Sequence, residues 1–293
     1  MADVQNIINL LLNGLALGCI YGLIALGFVL IYKATELVNF AQGDFVTVGA
    51  YIAFLLIGVV GLPYWFGLIA AIAVMFAFGF AMDVVIIRRL IGEPQFAVVM
   101  ATIGIGYVLR FIIGATFGYD PLQFETPFTG SIALGGLHID SAKAAALVGT
   151  VILCIILYLF FRRSRIGIAM QASSQNQLAA YYMGIPVQVI FSLIWGIGAA
   201  VALVAGMLLM PINSSIDPNM GLIGLKAFAG AVVGGFGSIP GALLGGIILG
   251  LVESFGGFFL PAGYAEMTVF GVVLAVMIIR PEGIFSQMGQ KKV

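Results

Sequence analysis

Long apolar runs separated by short polar stretches dominate the hydrophobic pattern of this chain. Five runs reach about 20 residues, the length that a helix needs to cross the hydrocarbon core of a membrane. They occupy positions 7–32, 64–87, 96–117, 143–161 and 187–210. Four further runs, at 45–62, 222–236, 241–260 and 264–280, are shorter or interrupted by glycine, which is typical of broken or tilted helices. The pattern predicts an all-α, polytopic transmembrane helix bundle with eight or nine spans, some broken by glycine, and no soluble domain.

Composition narrows the class of protein. Of the 293 residues, 62% are hydrophobic and 8% are charged, whereas soluble domains are roughly 25% charged. This excludes a water-soluble globule and makes membrane lipid the expected surroundings. Twelve Lys and Arg balance twelve Asp and Glu, so the chain lacks the basic surface that phosphate backbones require. Nucleic acid is therefore not expected as a partner.

The sequence contains no motif for catalysis, cofactors or metals. It has no Gly-Lys pair, which an ATP-binding P-loop needs. The single histidine, His138, has no Cys or His neighbour at a metal-ligand spacing, and no nucleophile and base are paired at a recognisable spacing. We expect a chain that is not an enzyme and that holds neither a metal nor a cofactor.

Clusters of Lys and Arg predict the orientation in the membrane, because cytoplasmic loops carry an excess of these residues. The clusters are Lys33; Arg88 and Arg89; Arg162, Arg163 and Arg165; and Arg280, Lys291 and Lys292. Placing all of them in the cytoplasm puts the amino terminus and the loop 118–140 in the periplasm and the carboxyl terminus in the cytoplasm.

Two groups of residues inside the apolar runs have a predicted structural role. Gly14, Gly18 and Gly22 are spaced four apart, which aligns them in one groove where another helix backbone can approach. We interpret this as helix packing within the bundle. Asp83, Arg110, Lys226 and Glu253 are ionisable groups within or beside the spans, and they are expected to form structural pairs rather than an ion or proton relay.

The polar segment 162–186 has the signals of a short cytoplasmic helix. Ser174 and Gln177 have the spacing of a capping box, Gly184 is a C-cap candidate and Pro186 a stop. Exposed Tyr181, Tyr182 and Met183 would then form a docking surface. The alternative is an ordinary connector lying at the membrane interface.

Two polar or glycine-rich breaks, at 39–44 and 234–238, are candidates for the path of a solute, because free backbone groups at membrane depth need protein or a water-lined cavity around them. Asn39, Gln42 and Gly43 come from the first break, and Gly235, Gly237 and Ser238 from the second. In the alternative interpretation, these polar residues only cap a helix end.

The sequence also contains a weak internal similarity. The segment LVNFAQG at 37–43 resembles LKAFAG at 225–230, which suggests weak repeat halves, 1–140 and 141–293, within a single domain 1–293.

Motifs along nearly the whole chain resemble the integral-membrane permeases of branched-chain amino-acid ABC importers, and among them the LivH type. The first half carries GLALG at 14–18, IY at 20–21, ALG at 25–27, NFAQGD at 39–44 and GAY at 49–51. The second half adds RIG at 165–167, MGI at 183–185, GGFGSIPG at 234–241 and RPEG at 280–283. The family often has His where this chain has Gln42, and LivH-type relatives also import amides, urea or other small acids, so the resemblance leaves the substrate open.

The resemblance implies the membrane-spanning subunit of a bacterial inner-membrane importer for branched-chain or related small amino acids. Its implied partners are a second, related permease, two cytoplasmic ABC ATPase subunits that hydrolyse ATP, and a periplasmic substrate-binding protein. The segment 162–186 would then be the coupling segment that docks on an ATPase, with Arg165, Gly167, Gln177, Tyr181, Tyr182, Met183 and Gly184 as its candidate residues.

A stand-alone secondary transporter or channel is the alternative function. Such a protein would use Glu253, Asp83 or Arg110 to bind an ion or proton during its cycle. It would need no docking surface for an ATPase, so the segment 162–186 distinguishes the two functions.

Overall fold

A computed structural model describes residues 2–90, 92–124, 126–134, 137–261 and 263–285. Lys291, Lys292 and the side chain of His138 lie outside these residues. Eleven α-helices occur in the described part of the chain: α1 Ala2–Thr35, α2 Gln42–Phe54, α3 Tyr64–Val85, α4 Gln95–Phe117, α5 Ser141–Arg163, α6 Arg165–Gln175, α7 Gln177–Tyr182, α8 Val187–Asn213, α9 Ile223–Gly234, α10 Ile239–Phe259 and α11 Tyr264–Ile279.

Within the described residues, seven helices are long and apolar enough to cross a membrane. They are α1, α3, α4, α5, α8, α10 and α2, the last with the π-helical turn Leu55–Val59 that continues it. The five longest apolar runs are all confirmed as helices. The count of eight or nine spans is not confirmed, because α9 has 12 residues and α11 has 16. At 1.5 Å per residue these helices are about 18 and 24 Å long, shorter than the roughly 30 Å of the hydrocarbon core.

A two-stranded antiparallel hairpin departs from the all-α prediction. Strands β1 Ser131–Leu134 and β2 Leu137–Asp140 pair with Ser131 opposite Asp140. In the sequence, Gly135 and Gly136 stand between the two segments, which is a two-residue spacing typical of a hairpin. This spacing is a short signal, and the long apolar runs on either side of it dominate the hydrophobic pattern.

The core of the bundle consists of α1, α2 and α8, whose side chains are mostly buried, with α10 packed along α1. Helices α3, α4 and α5 lie outside them and expose large apolar side chains. On α5 these include Val148, Val151, Ile152 and Ile155. Such an outward apolar surface fits contact with lipid acyl chains rather than with water.

Helices α1 and α10 run antiparallel and touch through glycine. Gly14, Gly18 and Gly22 face Leu251, Ile247 and Leu243 of α10 in that order. Residue numbers rise along α1 as they fall along α10, so the two helices are antiparallel. A Cβ built on Gly18 would lie 2.6 Å from the Cα of Ile247. This contact is consistent with the predicted role of these glycines, which is packing within the bundle.

The two ends of the bundle are chemically distinct. At the end that we call the arginine end, α3 and α5 finish in basic residues and α8 begins, with Arg88 donating to the carbonyl of Gln188 at 3.2 Å. At the opposite end, called the hairpin end, the hairpin precedes α5, and Leu122 bridges to Ile216 beyond the end of α8.

Candidate translocation site

The first break folds back into the bundle. Helix α1 ends at Thr35, Glu36 adopts a positive φ of 57°, and residues 37–41 are not helical. Helix α2 then begins at Gln42, whose side chain contacts Gly27 of α1 and donates to the carbonyl of Gly198, near the middle of α8. The start of α2 is therefore inside the bundle, well away from its ends.

Asn39 and Gln42 are completely buried and bonded to the protein. Asn39 Nδ2 donates to Gln42 Oε1 at 3.3 Å, Asn39 Oδ1 accepts from the backbone amide of Ala41 at 3.1 Å, and Gln42 Nε2 donates to the carbonyl of Gly198 at 3.0 Å. Phe40, between them, donates its amide to Thr102 Oγ1 of α4 at 3.2 Å. These bonds satisfy polar groups that hydrocarbon could not. The two side chains therefore hold the break in place.

Asp44, in the first turn of α2, pairs with Arg110 of α4. Its Oδ1 accepts from Arg110 Nη2 at 2.8 Å and from Nε at 3.1 Å. The two side chains are 10% and 19% exposed. The sequence suggested structural pairing for Arg110 but not this partner, since 66 residues separate the two.

A different break, at 214–222, approaches the first break from the hairpin end. Helix α8 ends at Asn213, and Ser214 adopts a positive φ of 57°. The chain then turns back through the 3₁₀ helix Pro218–Leu222 into α9. Gly43 lies directly against Gly221 and Gly224, so a Cβ on Gly43 would collide with the carbonyl oxygen of Gly221. The two breaks thus meet backbone to backbone inside the bundle.

The glycine-rich segment 234–238 lies elsewhere. Gly235 has a φ of 97° and contacts Gly283, Gly237 is exposed, and Ser238 caps α10 by accepting from the amide of Gly241 at 3.1 Å. Neither Gly235 nor Gly237 contacts the first break among the described residues. Gly221 and Gly224 do, and the run GLIG at 221–224 was the signal in the sequence.

An open cavity of about 260 Å³ lies beside the meeting point of the breaks. Its lining includes the polar side chains of Asp44, Arg110 and Tyr107 and the aromatic rings of Phe28, Phe40 and Phe228. Gly221 and Gly224 contribute backbone, while Ile103, Leu222 and Leu225 complete the lining. We call this cavity the Asp44 groove.

The remaining ionisable groups inside the bundle form separate pairs. Lys226 Nζ lies 2.7 Å from Glu253 Oε1 and 3.0 Å from Glu266 Oε1. Asp83 Oδ2 accepts from Ser192 Oγ at 2.7 Å and lies 3.5 Å from Arg88 Nη2. Structural pairing was the expectation for these residues, and it is confirmed. Among the described residues, Asp83, Arg110 and Glu253 do not form one chain of titratable groups.

The segment 162–186 contains two helices rather than one. Ser164 caps α6 by accepting from the amide of Gly167 at 2.8 Å, and Asn176 ends α6 and caps α7 by accepting from Ala179 at 2.9 Å. The predicted capping box is wrong, because Ser174 Oγ donates instead to the carbonyl of Gln171. Asn176 directly precedes α7, so its side-chain oxygen Oδ1 occupies the N-cap position instead.

The C-terminal end of α7 agrees with the predicted glycine cap. Gly184 has a φ of 82°, its amide donates to Tyr181, and the amide of Ile185 donates to Ala180, the paired bonds of a Schellman motif. Tyr181, Tyr182 and Met183 are 67%, 77% and 83% exposed. Gln177 Nε2 donates to the carbonyl of Ala34 at 3.2 Å and ties α7 to the arginine end of α1. Arg165 is exposed at the first position of α6.

Comparison with known proteins decides the family. The family described as "Branched-chain amino acid transport system / permease component" matches residues 10–279. The chain belongs to this permease family. It is 33% identical, over the full length of both chains, to the high-affinity branched-chain amino acid transport system permease protein BraD of Pseudomonas aeruginosa. It is 31% identical to the permease protein LivH of Escherichia coli K12, with 96% of each chain covered.

Two more distant similarities concern a second permease and the fold. The permease is 26% identical to LivM of Escherichia coli K12 over 90% of this chain and 67% of LivM. The solved structure titled "PsaBC from Streptococcus pneumoniae in complex with Fab" covers 92% of the permease and is itself covered to 91%, with a TM-score of 0.51 at 16% identity, which shows a shared fold. The permease is thus a multi-pass membrane component of a branched-chain amino-acid ABC transport system, and a transport subunit rather than an enzyme.

Proposed function

We propose that the permease is the membrane-spanning subunit of an ATP-driven importer and forms part of the path for branched-chain or related small amino acids. A periplasmic binding protein delivers the substrate, and ATP hydrolysis on partner subunits drives the change between outward-facing and inward-facing states. The observation that carries the proposal is the exposed surface of α7 at the arginine end. A stand-alone carrier has no use for this surface.

Two cytoplasmic ABC ATPases and a second, related permease complete the proposed complex. The arginine end then faces the cytoplasm, where basic residues accumulate. Helices α6 and α7 form the coupling segment, with Tyr181, Tyr182 and Met183 as the contact for one ATPase. The similarity to both LivH and LivM supports a pair of related permeases, because the two are distinct proteins in one organism. The outer apolar helices face lipid.

The path runs beside the point where the two breaks meet. In this proposal Asn39, Gln42 and Gly43 support the path by fixing the start of α2, which is consistent with their burial and internal hydrogen bonds. Gly235, Gly237 and Ser238 form the turn between α9 and α10 at the arginine end, where the path would open to the cytoplasm.

The experiment is reconstitution of the complex in proteoliposomes, with the binding protein outside and ATP inside. Met183→Asp or Tyr181→Asp should leave the permease inserted but abolish the coupling of transport to ATP hydrolysis, because a charge at a desolvated contact is expensive. Gln123→Asp, which adds the same charge at an exposed residue of the hairpin end, is the matched control.

The alternative function gives opposite results in the same vesicles. If the permease alone imports the solute with a proton gradient and without ATP, the chain is a secondary transporter. If the assembled Met183→Asp variant takes up the solute at the wild-type rate, α7 has no role in coupling. The separation of Asp83, Arg110 and Glu253 into independent pairs supports the ATP-driven importer over an ion relay.

A further inference from the structure

The Asp44 groove combines opposite charges and an apolar wall in a small space. Its volume of about 260 Å³ is close to the lower end of the roughly 300–1,000 Å³ that ligand pockets occupy. This suits one small molecule and is too small for a peptide. Tyr107, Leu222 and Leu225 at its edge are more than half exposed, so the groove opens sideways from the bundle.

The charged side of the groove has unused hydrogen-bonding capacity. Asp44 Oδ1 accepts both bonds from Arg110, which come from Nε and Nη2. Within the described part of the chain, no hydrogen bond involves Asp44 Oδ2 or Arg110 Nη1. Asp44 Oδ2 lies over Gly106, where a Cβ would collide with it. The pair therefore offers one free acceptor and one free donor to a ligand.

The groove also has an aromatic wall. The ring of Phe228 lies 5.5 Å from that of Phe28, edge to face, and 5.0 Å from that of Phe40. Phe40 belongs to the first break and Phe228 to α9, so this wall joins both halves of the meeting point. It is a surface for an aliphatic or aromatic side chain.

We propose that the Asp44 groove binds the substrate as an α-amino acid zwitterion during its passage. The ammonium group meets Asp44, the carboxylate meets Arg110, and the side chain lies against Phe28, Phe40 and Phe228. This inference rests on the proposed function as an amino-acid importer and assigns the residues that recognise the substrate.

The pairing also selects by charge. A zwitterion brings one charge of each sign, so both partners stay neutralised as it binds. A solute with only one charged group leaves Asp44 or Arg110 without a complete partner in a poorly hydrated site, which is unfavourable. Urea and simple amides bring no charge and gain nothing from either group. The groove thus favours neutral amino acids over amides, amines and carboxylic acids.

The first test measures protection by substrate in the assembled complex. Leu225→Cys, Ile103→Cys and Tyr107→Cys are made one at a time in a background without Cys19 and Cys154, and labelled with a small water-soluble thiol reagent. Leucine should slow the labelling of at least one groove cysteine severalfold, and leucinamide, which lacks the carboxylate, should not. Leu244→Cys, an exposed leucine of α10 outside the groove, is the control and should be unaffected.

The second test removes both charges together. Asp44→Asn with Arg110→Gln leaves no unpaired charge, so a pair that only holds the fold would lose less in this double variant than in either single one. We expect leucine uptake to fall at least about tenfold, since each lost contact is a charge-assisted hydrogen bond. Lys226→Gln with Glu253→Gln and Glu266→Gln removes another set of ion pairs at similar distances without leaving an unpaired charge, and this control should retain uptake.

The outcomes separate the inference from the proposed function. Absence of ATP-dependent leucine uptake by the wild-type complex contradicts the proposed function. With wild-type uptake present, normal transport by the Asp44/Arg110 double variant overturns the inference. If that variant does not assemble, the labelling test decides, because it leaves Asp44 and Arg110 intact. Three groove cysteines that leucine does not protect, or that never react, also overturn it.

Discussion

At positions 14, 18 and 22, the absence of a side chain lets the backbones of α1 and α10 touch. The contact is reciprocal, because Gly246 and Gly250 of α10 lie against Gly22 and Gly18 in turn. Hydrocarbon offers no hydrophobic drive for helix association in a membrane, so close van der Waals contact of this kind holds the helices together.

We predict that Gly18→Leu destabilises the fold of the permease itself. The new Cβ would overlap the backbone of Ile247, which cannot move aside as a flexible side chain could. We expect a loss of about 1–3 kcal/mol or more, measured as a lower midpoint of thermal unfolding in detergent. Gly104→Leu, on α4, is the matched control, because a Cβ there meets nothing within 4 Å. Equal stability of the two variants would contradict the assignment.

Gln42 is predicted to matter through its hydrogen bonds and not through contact with solute. Gln42→Ala leaves the carbonyl of Gly198 and the amide of Asn39 without their partner, a loss of about 1–3 kcal/mol. Thermal unfolding should report this, together with a reduced maximal rate of uptake. A changed order of preference among amino acids, with unchanged stability, would instead show that Gln42 contacts the substrate.

Single residues were the hardest to predict from the sequence. The apolar surroundings of Arg110 indicated that it needs a partner, but only the fold brings α2 against α4 and selects Asp44 over the other acids. Gly221 and Gly224 were missed for a similar reason. Their spacing is ordinary in a membrane helix, and their role arises from contact with Gly43, about 180 residues away along the chain.

At the scale of elements, the short helix α7 depends on its two caps. Six residues are too few for a stable isolated helix, so Asn176 at one end and Gly184 at the other define it. Both were visible as residue types in the sequence. The pattern Ser174 to Gln177 competed with Asn176 for the start, and only the geometry of the turn after α6 decides between them.

We predict that Asn176→Ala loosens α7 by about 0.5–2 kcal/mol. Faster hydrogen exchange of the amides from 178 to 183 is the measurement, and weaker coupling of transport to ATP hydrolysis is the expected consequence. Asn176→Ser retains an acceptor oxygen and should be close to wild type. Ser174→Ala should have no effect on the exchange of these amides. A large effect would support the capping box of Ser174 and Gln177 instead.

Long helices were predicted well because burial in lipid requires an uninterrupted apolar run, which is visible without the fold. Broken helices were not. The run 222–236 contains both the end of a 3₁₀ helix and the whole of α9, and hydropathy gives the same signal for both. The point at which the chain re-enters the bundle depends on Gly43, Gly221 and Gly224, which lie on different elements.

The whole molecule has one basic end and one hairpin end, and this asymmetry predicts its orientation. Gln175→Cys, beside α7, and Gln123→Cys, in the loop of the hairpin end, are both exposed. In a Cys19- and Cys154-free background, an impermeant maleimide should label Gln123→Cys in spheroplasts and Gln175→Cys only after the membrane is opened. The reverse pattern would invert the permease and place α7 in the periplasm.

The buried start of α2 also sets an order of events during synthesis. Gln42 Nε2 donates its hydrogen bond to a carbonyl 156 residues further along the chain. At 5–20 residues per second the ribosome needs roughly 8–30 s to make that stretch. During this interval Gln42 Nε2 lacks its final acceptor, so we expect the nascent α2 to stay beside the insertion machinery or near the lipid headgroups. The biogenesis of this subunit therefore includes a waiting step, and the arrival of α8 ends it.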